Sequence, residues 1–208
     1  MMGLGTGAVH DYFETVASRY GYDSSHFPWA WLRHQESKAL ESLLDQIESP
    51  CHRALDLGCG QGYYLRKLLI QRAEEVVGLD ISPAMLAQIE LPNVIARQGD
   101  FTSPLCGFSA DYKFDLLFCA GALEFAPNPQ TVIENVGQLL RPGGHFILLA
   151  PRKGLLSLGY QAFHRSHGLP IQVFSQAYLT QVCRRQGLLL KVSRRVTPFN
   201  LAFRFLRE

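Results

Sequence analysis

Eight residues, LDLGCGQG at positions 55–62, constrain this chain more than any other stretch. Apolar residues lead into them, and an amphipathic run beginning at Tyr63 leads away. Gly58, Gly60 and Gly62 fall at every second position, where glycine lets the backbone turn sharply and approach a ligand closely. A strand, a tight turn and a helix follow from that order. The rest of the chain has to supply neighbours for this unit.

The neighbours are legible as an alternation. Short apolar runs at 53–57, 76–79, 94–97, 114–119 and 145–150 read as strands. Helical patterns over 62–71, 82–90 and 130–140 separate them, with Ser82 and Asn128 placed as caps and Pro83 in a first turn. Arg141-Pro142-Gly143-Gly144 reads as a turn. Strands alternating with helices predict a doubly wound α/β fold, a mostly parallel sheet covered on both faces. Two helices at 8–20 and 29–47 precede it, and 1–50 is expected to form an N-terminal helical cap on a domain spanning 51–208. Glycines and aromatics at 152–174 read as an inserted loop, followed by a helix over 175–186 and a terminal antiparallel pair, 188–196 and 199–206.

Length and charge narrow the classes. A chain of 208 residues, 47% hydrophobic, favours one domain with a sizeable core. Its net charge of +2 argues against an electrostatic nucleic-acid binder. No apolar stretch reaches the ~18–20 residues needed to span a bilayer, so no membrane partner is expected. The N-terminal MMGLGTGAVH lacks the charged and apolar regions of a secretion signal. Five scattered cysteines without CxxC spacing point to free thiols in a cytoplasmic protein. His164 and His167 share a segment with no carboxylate nearby, so no metal is expected. The sequence carries no signal of oligomeric state.

Three acids close three strands. Asp56 precedes the glycine turn, Asp80 ends the second strand and Asp100 follows the third. In a parallel sheet all three reach the same ligand-binding edge. An acid about 20 residues past a glycine turn suits ribose hydroxyls. Each acid also has a local alternative, as a turn cap, a helix entry or a loop acid. A nicotinamide dinucleotide would require GxGxxG, whereas the turn is GCGQG, and Asp56 would repel a pyrophosphate there.

LDLGCGQG, VVGLDIS, QGDF, FDLLFCAGALEF and LLRPGGHFIL, in this order from Leu55 to Pro151, resemble the successive motifs of the class I S-adenosylmethionine-dependent methyltransferases. The resemblance implies a Rossmann-like seven-stranded sheet with an antiparallel C-terminal strand, and S-adenosylmethionine as cofactor. It implies that Gly58, Gly60 and Gly62 line the methionine part, that Asp56 orients its amino group, and that Asp80 binds the ribose with Ile81 against the adenine. Asp100 and the Phe101 backbone would meet the adenine amine, and Cys119 to Ala122 would pass beside the sulfonium. In YFETVASRYGYD, Tyr20 would close over the cofactor.

CAGALEF lacks the Asn/Asp-Pro-Pro-aromatic and Pro-Cys signatures of nucleic-acid methylation, which favours a small-molecule substrate. Aromatic residues of the first helices and of 152–174 suit a flat or apolar acceptor. Tyr12, His26, Glu124 and Tyr160 are candidate substrate contacts, and His164 and His167 the candidate bases, followed by His26 and Glu124. The rival readings are a non-catalytic methyltransferase-fold partner subunit and an NAD-dependent oxidoreductase.

Overall fold

In the computed structural model, described for residues 5–25, 29–166 and 168–208 (backbone only at 19–25 and 29), seven strands form one sheet in the order β3-β2-β1-β4-β5-β7-β6. The strands are β1 (Arg53–Leu57), β2 (Glu75–Asp80), β3 (Val94–Gln98), β4 (Phe114–Ala120), β5 (Leu140–Pro151), β6 (Leu188–Arg195) and β7 (Asn200–Arg207). β1 to β5 pair in parallel, and β7 runs antiparallel to both of its neighbours, β5 and β6. This is the Rossmann-like arrangement expected of the sequence. Strand order reverses between β1 and β4, and the crevice opens at their carboxyl ends.

The period of two along each central strand sorts side chains between two cores. Leu55, Leu57, Leu117 and Cys119 pack with α4 (Pro129–Leu139) and α6 (Gln176–Arg185) on one face. Ala54, Leu116, Phe118 and Ile147 meet α2 (Trp29–Leu44) and a short π-helical turn, Leu65–Leu69, on the other. Phe114, Phe118, Phe146, Phe203 and Phe205 are fully buried between these layers.

Several boundaries differ from the sequence expectation. The helix after the glycine turn is a single π-type turn, in which the Ile70 amide donates to the Leu65 carbonyl at 3.1 Å. α3 (Pro83–Leu86) is half its expected length, although Ser82 caps it as expected, its hydroxyl accepting from the Met85 amide. The expected turn at 141–144 is a bulge inside β5: Leu140 pairs with Phe114 and His145 with Leu116, so four residues pass opposite Asp115. Asp115 holds the bulge, accepting from the His52 and Arg53 amides at 2.8 and 2.7 Å and pairing with Arg141. The expected loop at 152–174 contains a further helix, α5 (Leu155–Ser166).

α1 (Thr6–Ser25) lies over the carboxyl edge of the sheet. Glu14 anchors it, its carboxylate accepting from the Ser82 hydroxyl at 2.6 Å and the Ala84 amide at 3.0 Å. These two donors, the hydroxyl first, hold the Glu14 carboxyl below its usual range. Gln61 and Gln88 add a second anchor, both donating to the Ala17 carbonyl.

Candidate functional site

A cleft of about 500 Å³ sits where the sheet edge, α1 and α2 meet. Its floor is the glycine turn. Gly58, Gly60 and Gly62 all have positive φ, at 73°, 53° and 78°. Gly58 is also required by space, because a Cβ there would collide with Ala122 Cβ. At Gly60 a Cβ would meet no atom within 4 Å, so that part of the turn faces open cleft.

Asp80 fastens this turn. One carboxylate oxygen accepts from the Gly60 amide at 2.7 Å, and the other from the Ser82 amide at 3.0 Å. Burial raises its pKa against these hydrogen bonds, which pull the other way. Asp56 is nearly inaccessible, at 2% exposure, and its Oδ2 has no hydrogen-bond partner among the described residues. Burial, then the neighbouring Asp80 charge, push its carboxyl well above the ordinary range. An orphaned buried carboxylate oxygen is costly unless a donor completes it. Asp56 itself is not among the residues lining the cleft; it lies buried at the end of β1, just before the glycine turn.

Ile81 and Phe101 line the cleft, as the family resemblance implies. Asp100 does not line it. Its Oδ1 accepts from the Thr102 amide and hydroxyl at 2.7 and 2.6 Å, closing a local turn. The Phe101 carbonyl is engaged by Asn135 Nδ2 at 2.9 Å. Cys119 points into the core and is fully buried, and burial pushes its thiol well up. The residues after it, Ala120, Gly121 and Ala122, form the cleft wall.

The acceptor candidates divide. Glu124 follows that wall on a short helical turn and is 4% exposed. Its Oε1 lies 3.9 Å from where a Cβ on Gly121 would sit, and its Oε2 is buried without a partner among the described residues. Burial, with a smaller push from the Glu36 charge, raises the Glu124 pKa to about 8. Tyr12 packs edge-on against Phe13 at 5.3 Å, and it is Phe13 that lines the cleft. His164 and Tyr160 stand outside the cleft lining, in ring contact with each other at 4.6 Å. His164 meets the wall at Phe125, with the ring centroids 6.1 Å apart. His26 and His167 lie outside the described residues, and Tyr20 is described only as backbone of α1.

Several lining residues were not anticipated from the sequence, among them Arg33, Tyr63, Tyr64 and Phe125. Arg33 of α2 lies over the Tyr63 ring, 4.8 Å from its centroid. Tyr63 and Tyr64 follow the glycine turn directly, and Phe125 meets Phe13 edge-on at 5.4 Å across the mouth. Behind them Glu36 accepts from Asn200 Nδ2 at 2.6 Å and from the Tyr64 hydroxyl at 3.3 Å, and burial raises its carboxyl. Two adjacent tyrosines after a Gly-x-Gly turn are a sequence signal that could have pointed to this wall.

Residues 55–148 match the family described as "Methyltransferase domain". The chain contains a methyltransferase domain and has the Rossmann-like methyltransferase fold. Within it, the methyltransferase domain holds every strand of the parallel half of the sheet but the start of β1 and the end of β5. The chain is 35% identical over 98 residues to a tRNA U34 carboxymethyltransferase of Nautilia profundicola, covering 45% of this chain and 32% of that protein. It is 30% identical over 157 residues to a ubiquinone biosynthesis O-methyltransferase of Alkalilimnicola ehrlichii, covering 67% and 59%. It thus spans only part of the length of these curated relatives. The structure of magnesium protoporphyrin IX methyltransferase from Synechocystis PCC 6803 with bound S-adenosylhomocysteine superimposes with a TM-score of 0.78, at 17% identity, over 98% of this chain and all of that one. Among the described residues there is no cluster of three metal-ligating side chains, and no helix is long and apolar enough to cross a membrane.

Proposed function

We propose that the chain is an S-adenosylmethionine-dependent methyltransferase acting on a small-molecule acceptor. The observation that carries the cofactor is an open glycine turn at Gly60 braced by Asp80, with the unpartnered carboxyl oxygen of buried Asp56 just ahead of that turn in the chain. An amino acid moiety lying on the turn would give Asp56 the donor it lacks. Asp80 then serves twice, bracing the turn through the Gly60 amide and accepting from ribose hydroxyls at the carboxylate lone pairs that remain. Ile81 and Phe101 supply apolar surface for the adenine. Asp100 would reach the adenine amine through its second carboxylate oxygen, and Tyr20 would cover the cofactor from α1.

When bound, the cofactor supplies a methyl group on a sulfonium, an already activated leaving group. The protein's part is to align the acceptor and keep water out. Phe13 and Phe125 narrow the mouth of the cleft. Arg33, Tyr63 and Tyr64 form its inner polar-aromatic wall, which suits a planar acceptor bearing a hydroxyl or an anionic group. Glu124 is the candidate to take the acceptor proton, since its carboxyl titrates near neutral pH behind Gly121. Tyr12, Tyr160 and His26 remain candidates for substrate contact, and His164 and His167 for an alternative base.

Calorimetric titration with S-adenosylhomocysteine tests the cofactor reading. The parent should bind, and Asp80→Ala should bind at least about tenfold more weakly. Asp80→Asn, which keeps one acceptor for the Gly60 amide, should fall between them. A folded parent that does not bind S-adenosylhomocysteine would overturn the proposal.

A further inference from the structure

α5 turns its apolar side to solvent. Leu155 is 88% exposed, Leu156 57% and Leu158 62%. Leu155, Leu158, Gly159 and Ala162 fall at the i, i+3, i+4, i+7 spacing of a single helix face, and all four are exposed. The opposite side attaches the helix. There Ser157 is buried and donates to the Arg152 carbonyl, Gln161 reaches the Ile171 carbonyl at 3.3 Å, and Tyr160 stacks on Phe199 at 5.8 Å. Polar and aromatic residues hold α5 to the protein, while leucines face outward. An exposed apolar face of this kind marks an interaction surface.

A second, independent observation identifies what the surface meets. The net charge of +2 conceals a segregation along the chain. Residues 135–207 contain eleven Lys and Arg and not one Asp or Glu, whereas residues 1–134 contain nine against seventeen. Part of this positive charge frames α5. Arg152 and Lys153 precede its first turn, and Arg165 lies in its last. Arg195, at the end of β6, is level with Ala150 of β5 through Leu201 of β7, and so stands at the same sheet edge. Lys153, Arg165 and Arg195 are exposed.

We infer that α5 is a docking element for an anionic lipid surface. Leu155, Leu156 and Leu158 would enter the boundary between headgroups and acyl chains, while Arg152, Lys153 and Arg165 would lie among the lipid phosphates. A short apolar helix face with basic flanks has both chemistries such a surface rewards. The other occupants fit less well. A second copy of the chain meeting this face isologously would set like charges against each other. A nucleic acid would engage the cations but leave the leucines in water. Through His164 and Phe125 the docking helix touches the wall of the cleft. The inference amends the expectation that no membrane partner exists, and it does not depend on the nature of the methyl acceptor.

Co-sedimentation of the full chain with phosphatidylcholine vesicles, with and without phosphatidylglycerol, tests it. The protein should pellet with the anionic vesicles and stay in solution with phosphatidylcholine alone. Added salt should release it, since the headgroup attraction is screened. The double variant Leu155→Gln/Leu158→Gln should lose at least about tenfold in bound fraction and keep the parent's unfolding midpoint, because both side chains already face solvent. Arg152→Gln/Lys153→Gln should weaken binding to anionic vesicles alone. Failure of the parent to pellet with phosphatidylglycerol, or pelleting indifferent to the leucine substitutions, would overturn the inference. So would a concentration-dependent dimer that dissolves in the leucine variant without any vesicle binding.

Discussion

In the proposed reaction, Glu124 is the residue whose environment would set the pH dependence. A carboxyl raised to about 8 is mostly protonated at neutral pH and becomes a proton acceptor only as the pH climbs through that value. For an acceptor that arrives protonated, kcat/KM should therefore rise between about pH 6.5 and 8.5, and Glu124→Gln should lower and flatten that limb. The same displacement acts on stability. The folded chain binds the Glu124 proton more tightly than the unfolded chain does. The linkage is thus fully favourable below the ordinary pKa of 4.5, and stability is lost as pH rises from there towards about 8. Above that range Glu124→Gln should be more stable than the parent, by a few kcal/mol at most, and so unfold at a higher temperature. Thermal scans of both proteins at pH 6 and pH 9 would check this. No gain at pH 9 would mean that the buried carboxylate is solvated or paired when ionised.

At the scale of elements, α1 behaves as a strap. Its polar anchors are Glu14, which meets the first residues of α3, and the Ala17 carbonyl, which receives two glutamine side chains, beside a small apolar contact of Val16 and Ala17 with Met85. Val9 and Phe13 of the same helix line the cleft, so loosening the anchor should open the site without unfolding the sheet. Glu14→Ala should weaken S-adenosylhomocysteine binding on the order of tenfold in calorimetry, with the unfolding midpoint nearly unchanged. Equal losses of affinity and stability would show that α1 is part of the cooperative core instead.

The elements also show which signals a sequence carries. The central strands were legible because parallel strands are buried on both faces and read as continuous apolar runs, as in FDLLFCA. Ser82 and Asn128 were legible as caps because the hydroxyl or amide of each has a fixed local job. α5 was not, since Gly154, Gly159, Gly168 and Pro170 suggested a loop, and its leucines do not pack inward to make the pattern of a buried helix. In the cleft, the glycine turn and Asp80 stood out because glycines at alternate positions and an acid closing the next strand are visible as spacing alone. The cleft wall was harder. Neighbouring residues on a helix point about 100° apart, so choosing Phe13 over Tyr12 depends on what lies beneath α1. Arg33 and Tyr63 belong to different elements, and only the folded chain brings them together.

For the whole molecule, the cleft is a joint between parts. Its lining comes from α1, α2, the glycine turn, β2 and the segments after β3 and β4. A ligand that binds only this assembled state stabilises all of them. S-adenosylhomocysteine at about 100 times its dissociation constant should add roughly 2.7 kcal/mol, raising the unfolding midpoint by about 5–10 °C for a chain of this size. Differential scanning fluorimetry would read the shift, and Asp80→Ala should abolish most of it at the same ligand concentration.

The strand order has a consequence for how the chain is made. β7 lies between β5 and β6, so the sheet cannot close until the last strand in the sequence has been synthesised and inserted between two earlier ones. Every residue that lines the cleft, from Val9 to Phe125, precedes β5 and β7 in the chain. During vectorial synthesis the ligand turn and its acids therefore emerge first, while β5 waits with one edge unpaired for a partner more than forty residues downstream. That interval exposes FILLA, the most apolar strand segment of the chain's second half, and it makes the growing chain more prone to association than the finished protein.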